Sequence, residues 1–202
     1  MIRLKNTKLF WDKRFRKYGK FSTGYIDGVI HKFDDKIRWY SFLRESRLKS
    51  GEVILDVGCN HGDWSIRLAK MGLKVTGIDI IKEAIEVAKL NAKEASVDIE
   101  FKSIKVEDIN FAQNKFDKII SITVMQHILE DKFFLIALKK FQRQLKSKGK
   151  LVLIESAPNK TIVEKLNYKR ERTLEKHLTL FSQAGFKLET IRGINHLSVR
   201  WY

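Results

Sequence analysis

The ten residues Val53–Gly62, reading VILDVGCNHG, constrain this chain more than any other stretch, because a continuous apolar run passes straight into a glycine-bearing turn. Val53, Ile54, Leu55 and Val57 are the content of a parallel strand covered on both faces. Asp56 interrupts them. A carboxylate is costly to bury unless it meets a donor, so its place at the C-terminal mouth of the strand points to a polar ligand beyond the sheet. Gly58 and Gly62 allow a tight turn and a close backbone approach to that ligand. A helix over Asp63–Lys70 follows, turning its unpaired N–H groups toward the same mouth, and Gly72 is placed to end it.

The stretch resembles motif I of the class I S-adenosylmethionine-dependent methyltransferases, an acidic residue followed by GxGxG, with Asn60 standing where the middle glycine belongs. Asparagine enters left-handed backbone conformations readily, so the loop would keep its path. A nicotinamide-binding Rossmann loop needs glycines at 58, 60 and 63, where the chain has Gly58, Asn60 and Asp63. A phosphate-binding P-loop fails as well, since no Gly-Lys-Ser/Thr follows. An ordinary strand-to-helix turn is the plain alternative. The resemblance implies an α/β fold with a doubly wound, mostly parallel, Rossmann-like sheet of seven strands, the C-terminal one antiparallel. It also implies S-adenosylmethionine as the cofactor.

A chain of 202 residues is the length of one compact domain, and 44% apolar content can supply its core. There is no apolar run of the roughly 18 residues that a membrane span needs, and the basic N-terminus lacks the apolar centre of a signal peptide. The single cysteine, Cys59, argues for a reducing, cytoplasmic setting and reads as a small packed residue. The charge is one-sided: 40 Lys and Arg against 24 Asp and Glu give +16. Such an excess points to an anionic partner, whether an acidic metabolite, a membrane surface or nucleic acid.

Residues 1–50 precede the cofactor motif and read as a helical cap on the same domain, with residues 51–202 as the cofactor-binding core. Phe10, Trp11, Phe15, Tyr18, Phe21 and Tyr25 alternate with basic residues, and a helix is predicted over Phe33–Leu48. In the resembled family such helices fold over the cofactor and shape the acceptor pocket, which makes Tyr18, Tyr25 and His31 candidate substrate residues. Mixed basic and aromatic residues could instead stack on single-stranded RNA, or simply pack the cap onto the sheet.

Beyond the first helix, strand, turn and helix repeat, implying right-handed crossovers and a parallel sheet. The second strand, Lys74–Ile80, carries Asp79, about 20 positions after the glycine turn, where a ribose hydroxyl pair is held. The resemblance assigns Asp79 to the cofactor ribose, with Ile80 beside it. A helix over Ile81–Ala95 and a third strand over Val97–Phe101 follow. Asp108 and Ile109 fit the family's adenine site, an acidic acceptor with an apolar neighbour. The fourth strand, Phe116–Ile122, runs into Thr123, Val124, Met125, Gln126 and His127, which looks like the family's motif IV.

No Asn/Asp-Pro-Pro-Tyr/Phe tetrad and no Pro-Cys pair occurs, which argues against methylases of exocyclic base amines and of pyrimidine C5. A helix over Lys132–Leu145, a turn over Ser147–Lys150 and a fifth strand over Leu151–Ile154 come next. A helix over Leu174–Gly185 and an antiparallel pair, Phe186–Ile191 with His196–Tyr202, close the chain.

Methyl transfer requires a nucleophile held in line with the sulfonium methyl, and orientation alone can supply about 7 to 11 kcal/mol of the barrier. His127 is the leading candidate base, since it follows the fourth strand at the cofactor mouth; Glu155 and His31 are weaker ones. No metal-ligand spacing is evident. The expected cofactor set is therefore Asp56, Gly58, Asn60, Gly62, Asp79, Ile80, Asp108, Ile109 and Thr123. The expected activity is methylation of an oxygen or nitrogen of a small or medium metabolite, anionic if the charge is functional. An RNA methyltransferase and a non-catalytic cofactor-binding adaptor are the alternatives.

Overall fold

The computed structural model describes residues 2–22, 27–164 and 168–194. Its centre is a parallel sheet built from β1 (Val53–Val57), β2 (Lys74–Asp79), β3 (Glu100–Ser103), β4 (Phe116–Ile122) and β5 (Leu145–Ile154) in the order β3-β2-β1-β4-β5. Every pairing is parallel. The chain reverses its direction of travel across the sheet between β1 and β4, and ligands of open α/β sheets bind outside the strand ends at such a point.

Strand alternation divides the core between the two faces. Ile54 and Ile120 are fully buried against Phe42 of α2 (Gly28–Ser46) and Leu68 of α3 (Asp63–Lys70). Leu55, Val57 and Ile119 face the other way, onto Phe134, Leu138 and Phe141 of α5 (Asp131–Gln144) and Leu180 of α6 (Leu174–Gln183). The third apolar cluster places Ile85, Ala88 and Ala92 of α4 (Lys82–Glu94) on Phe101 and Cys59. At the N-terminus, α1 (Ile2–Tyr18) lays Trp11 and Phe15 on Ile80, Ile81 and Ala84.

Helix α3 and strands β1 and β4 have the predicted bounds. The third strand starts later than expected because the preceding helix closes beyond its last turn. Ser96 is left-handed at φ 54°, and the N–H of Val97 still bonds to the carbonyl of Ala92. The fifth strand starts earlier. Leu145 already pairs with Phe116, and pairing resumes at Lys150 opposite Lys118, so the predicted turn over 147–150 is a bulge inside one strand. Gly149 permits it, since a Cβ there would lie 3.0 Å from the backbone of Lys146.

The expected sheet of seven strands with an antiparallel C-terminal strand is not what the described residues form. Five strands make the sheet, and the only antiparallel pair is a separate two-residue hairpin, β6 (Ile162–Val163) with β7 (Arg170–Glu171). Residues 186–191 form no strand, although Lys150 reaches Glu189 at 2.6 Å, and most of the expected last strand lies outside the described residues.

Candidate active site

At the mouth of β1 the backbone must reverse within a few residues, and three left-handed positions do this: Gly58 at φ 76°, Asn60 at φ 49° and Gly62 at φ 89°. Glycine is required at the first of them, since a Cβ on Gly58 would come within 2.2 Å of Val124 Cγ2. The loop is tied to β2 through the N–H groups of Gly58 and Cys59, which donate to the Ile78 carbonyl at 2.7 and 3.0 Å. Asp79 completes the frame. One carboxylate oxygen accepts from the Asn60 N–H at 3.0 Å and the other from the Ile81 N–H at 2.9 Å. Burial nonetheless pushes its pKa up, and Asp12 of α1 adds a like charge. Burial also raises Asp56 to about 6, against the hydrogen bond donated by Ser65 at 2.6 Å.

The cap closes over this mouth from two helices. Asn60 Nδ2 donates to Ser22 Oγ at 3.3 Å, so the turn that follows α1 sits on the glycine loop. From α2, Asp35 accepts from Trp64 Nε1 and from Arg67, both at 2.7 Å, which binds the cap to α3. Arg38 pairs with Asp34 at 2.8 Å and brings Nη1 to 3.5 Å from Thr123 Oγ1. Thr123 is itself left-handed at φ 57°, a strained state for a β-branched residue of the kind that gathers at functional sites. Its N–H donates to the Ile154 carbonyl at 2.7 Å, and Gln126 Nε2 donates to its carbonyl at 3.0 Å.

Past Thr123 lies His127, in a short 3-10 turn over Met125–His127. Its Nδ1 is 2.8 Å from the Tyr168 carbonyl, its ring meets Trp11 edge to face at 4.7 Å, and Tyr168 stacks on Phe10 at 3.9 Å. Desolvation in this aromatic setting outweighs the hydrogen bonds and lowers the histidine to about 4, leaving a neutral ring at pH 7. Glu155, just beyond β5, accepts from the N–H groups of Met125 and Gln126 at 2.8 and 3.3 Å and fixes the same turn from below. Burial raises its carboxyl to about 7. These groups share one broad cleft of about 1740 Å³ along the C-terminal ends of the strands.

A profile described as a methyltransferase domain matches residues 48–191. The chain belongs to the S-adenosylmethionine-dependent methyltransferases. The chain is 34% identical over 126 residues to the mitochondrial ubiquinone biosynthesis O-methyltransferase of Schizosaccharomyces pombe, a match covering 61% of the chain and 44% of the relative. It is 30% identical over 147 residues to the demethylmenaquinone methyltransferase of Staphylococcus haemolyticus, covering 71% and 60%. The chain thus spans about half the length of the curated relatives it matches. Among solved structures, a methyltransferase of Leishmania major superposes with a TM-score of 0.81 at 18% identity, covering 99% of this chain and 80% of that one, a likeness of fold alone.

Within the cleft, Asp56, Gly58, Asn60, Asp79, Ile80, Thr123, His31 and His127 all line the walls. Gly62 is buried behind the loop, where it starts α3. Asp108 and Ile109 are placed otherwise than expected. Asp108 is exposed outside the cleft and Ile109 is buried in the core, because the short turn over Val106–Asp108 directs Ile104, Lys105, Val106 and Glu107 to the cleft instead. Tyr18 does not line the cleft and lies beneath the cations of Arg14 and Lys17. Tyr25 lies outside the described residues.

Sequence reading missed Arg38, Glu107 and Tyr168. The Asp34–Arg38 spacing of four on one helix was the available sign for the first; nothing local marked the other two. Among the described residues no group of three or more His, Cys, Asp or Glu is arranged to hold a metal, and no helix is long and apolar enough to cross a membrane.

Proposed function

We propose that this chain transfers the methyl group of S-adenosylmethionine to an oxygen or nitrogen of a small or medium-sized, ring-bearing metabolite. The observation that carries the reading is the arrangement of Asp79 and the left-handed Asn60 loop on one side of Thr123 and the His127, Trp11 and Tyr168 cluster on the other. The first half offers a ribose acceptor beside a backbone that can approach a ligand closely. The second offers flat aromatic walls and a neutral imidazole.

In this reading Asp79 holds the ribose hydroxyls, Asp56, Gly58, Asn60 and Gly62 shape the methionine end, and Ile80 covers the sugar. Arg38, which lines the cleft beside Thr123, faces the cofactor's carboxylate. The adenine wall moves from Asp108 and Ile109 to the stretch 104–107. The cofactor supplies an electrophilic methyl. The acceptor's lone pair forms the new bond as the carbon–sulfur bond breaks, the sulfur takes that electron pair, and the acceptor's proton leaves. His127 is the candidate base, but a value of about 4 makes it a weak one, and its neutral ring at pH 7 suits holding the acceptor's hydrogen bond better than taking its proton.

Residues 1–50 act as a cap on the same domain as residues 51–202, contributing His31 and Trp11 to the acceptor side; Tyr25 stays a candidate in that cap. The cytoplasm is the compartment, supported by a single, buried cysteine. The names of the relatives, which concern ubiquinone biosynthesis and demethylmenaquinone, support a small ring-bearing acceptor over RNA, which has the +16 charge alone behind it.

The test is methyl incorporation from labelled S-adenosylmethionine into hydroxylated and amino-substituted aromatic compounds, set against structured RNA. Turnover of a small compound is expected. Structure-dependent labelling of RNA with no small acceptor would replace this reading, and tight cofactor binding with no turnover of either would favour the adaptor.

A further inference from the structure

We propose that the outward face of α2 docks the protein on an anionic lipid bilayer. Helix α2 has two unlike sides. His31, Asp34, Asp35, Arg38 and Ser41 recur at helical spacing along the cleft. On the opposite side Val29, Phe33 and Tyr40 form one stripe, at i, i+4 and i+11, and they are 79%, 51% and 60% exposed, with Ile30 beside them at 49%.

A cluster of large apolar side chains in water is a mark of an interaction surface. Lys32 and Lys36 are exposed on the same outer side, and the Lys36 ammonium lies 5.9 Å from the centre of the Tyr40 ring. The acids of the helix are turned away: Asp34 bonds to Arg38, Asp35 to Trp64 and Arg67, and Glu45, in the last turn, lines the cleft and pairs with Arg44 and Arg192. Asp27 caps the helix, its carboxylate already accepting from the N–H groups of Val29 and Ile30.

Apolar residues bordered by lysines, without an opposing acid, match the interfacial layer of a membrane. The side chains enter the headgroup boundary while the lysines meet anionic lipid. A second copy of the chain fits less well, since it would set Lys32 and Lys36 against their own kind with no carboxylate between them. Nucleic acid would satisfy the lysines and leave Val29, Ile30 and Phe33 without a partner. The docking does not rest on the proposed methyl transfer.

Co-sedimentation of the full chain with phosphatidylcholine vesicles, with and without phosphatidylglycerol, tests the proposal at physiological salt. Binding is expected on the anionic vesicles, and it should weaken roughly tenfold or more in both Phe33→Ser/Tyr40→Ser and Lys32→Glu/Lys36→Glu. Because all four side chains are exposed, both variants should keep the wild-type thermal transition and S-adenosylmethionine affinity. Absence of vesicle binding by the wild type overturns the proposal, as does binding that survives both pairs of substitutions. A dimer in solution that Phe33→Ser/Tyr40→Ser dissociates would assign the face to self-association instead. Loss of the methyltransferase reading, through absent cofactor binding, would leave the vesicle result standing.

Discussion

At the scale of single residues, Asp79 concentrates the consequences. Its two oxygens already fix Asn60 and Ile81, so Asp79→Ala removes the proposed ribose acceptor together with the acceptor of two backbone N–H groups. Affinity for S-adenosylmethionine and S-adenosylhomocysteine should fall about tenfold to a hundredfold in calorimetry, the cost of leaving polar groups of this kind unpaired. Tight NAD binding with no response to either compound would defeat the assignment. Asp79 was legible in the sequence because a strand delivers it at a fixed distance from the glycine turn. Asp108 was not, because a 3-10 turn rotates its residues by an amount that sequence spacing does not reveal, and Glu107 faces the cleft in its place. The buried titrating groups predict opposing pH effects. His127 drops from 6.5 to about 4, so its contribution to stability is whole above the unfolded value and is lost as pH falls through that window. Glu155 rises from 4.5 to about 7, so its contribution is whole below about 4.5 and is lost as pH rises toward 7. Thermal melts of wild type and Glu155→Gln across that range isolate the second effect. The stability advantage of the wild type should shrink by about 3 kcal/mol on going from pH 4.5 to 7, and a constant difference would mean that Glu155 does not titrate there.

At the scale of elements, one carboxylate ties the second cap helix to the core. Asp35 of α2 accepts from Trp64 and Arg67 of α3, while Trp39, Phe42 and Trp64 pack ring to ring beneath it. Asp35→Ala leaves the indole N–H and the guanidinium without that acceptor, and denaturant unfolding should report a loss of about 1 to 3 kcal/mol. Asp35→Asn should recover part of it, since the amide oxygen can still accept from the indole. The elements that sequence made legible are those whose pattern is local: the apolar runs of β1 and β4, and α3 between a glycine turn and Gly72. Those it hid depend on distant partners. The β5 bulge lies opposite Asp117, whose carboxylate meets the Val53 N–H and Lys146 from different parts of the chain. The β6–β7 hairpin has two residues a side, too few to show alternation, yet it leads into Tyr168, whose carbonyl meets His127. Buried Arg172, just after β7, donates to the carbonyls of Ile128 and Leu129 and to Asp131. Arg172 thus anchors the chain between His127 and α5.

At the scale of the whole molecule, the proposed reading gives the cofactor mouth to the core and the acceptor side to the cap, so the two functions should separate under mutation. Trp11 touches His127 and also packs with Ile80 and Ile81, and His31 lines the cleft from α2. A closed cap would exclude water and orient the acceptor. Removing the cap outright is a poor test, since it would take Phe42 away and expose Ile54, Leu68 and Ile120 beneath it. Point changes are cleaner. Trp11→Phe and His31→Ala should lower methyl transfer while cofactor affinity stays within about a few fold, provided that each variant keeps its thermal transition, because substrate orientation affects the barrier more than it affects cofactor binding. Tyr18→Ala serves as the comparison: its ring lies outside the cleft under Arg14 and Lys17, so turnover should stay near wild type. If Trp11→Phe and His31→Ala also turn over normally, residues 1–50 only pack against the core, and the acceptor must be sought toward the basic stretch between Lys160 and Lys176.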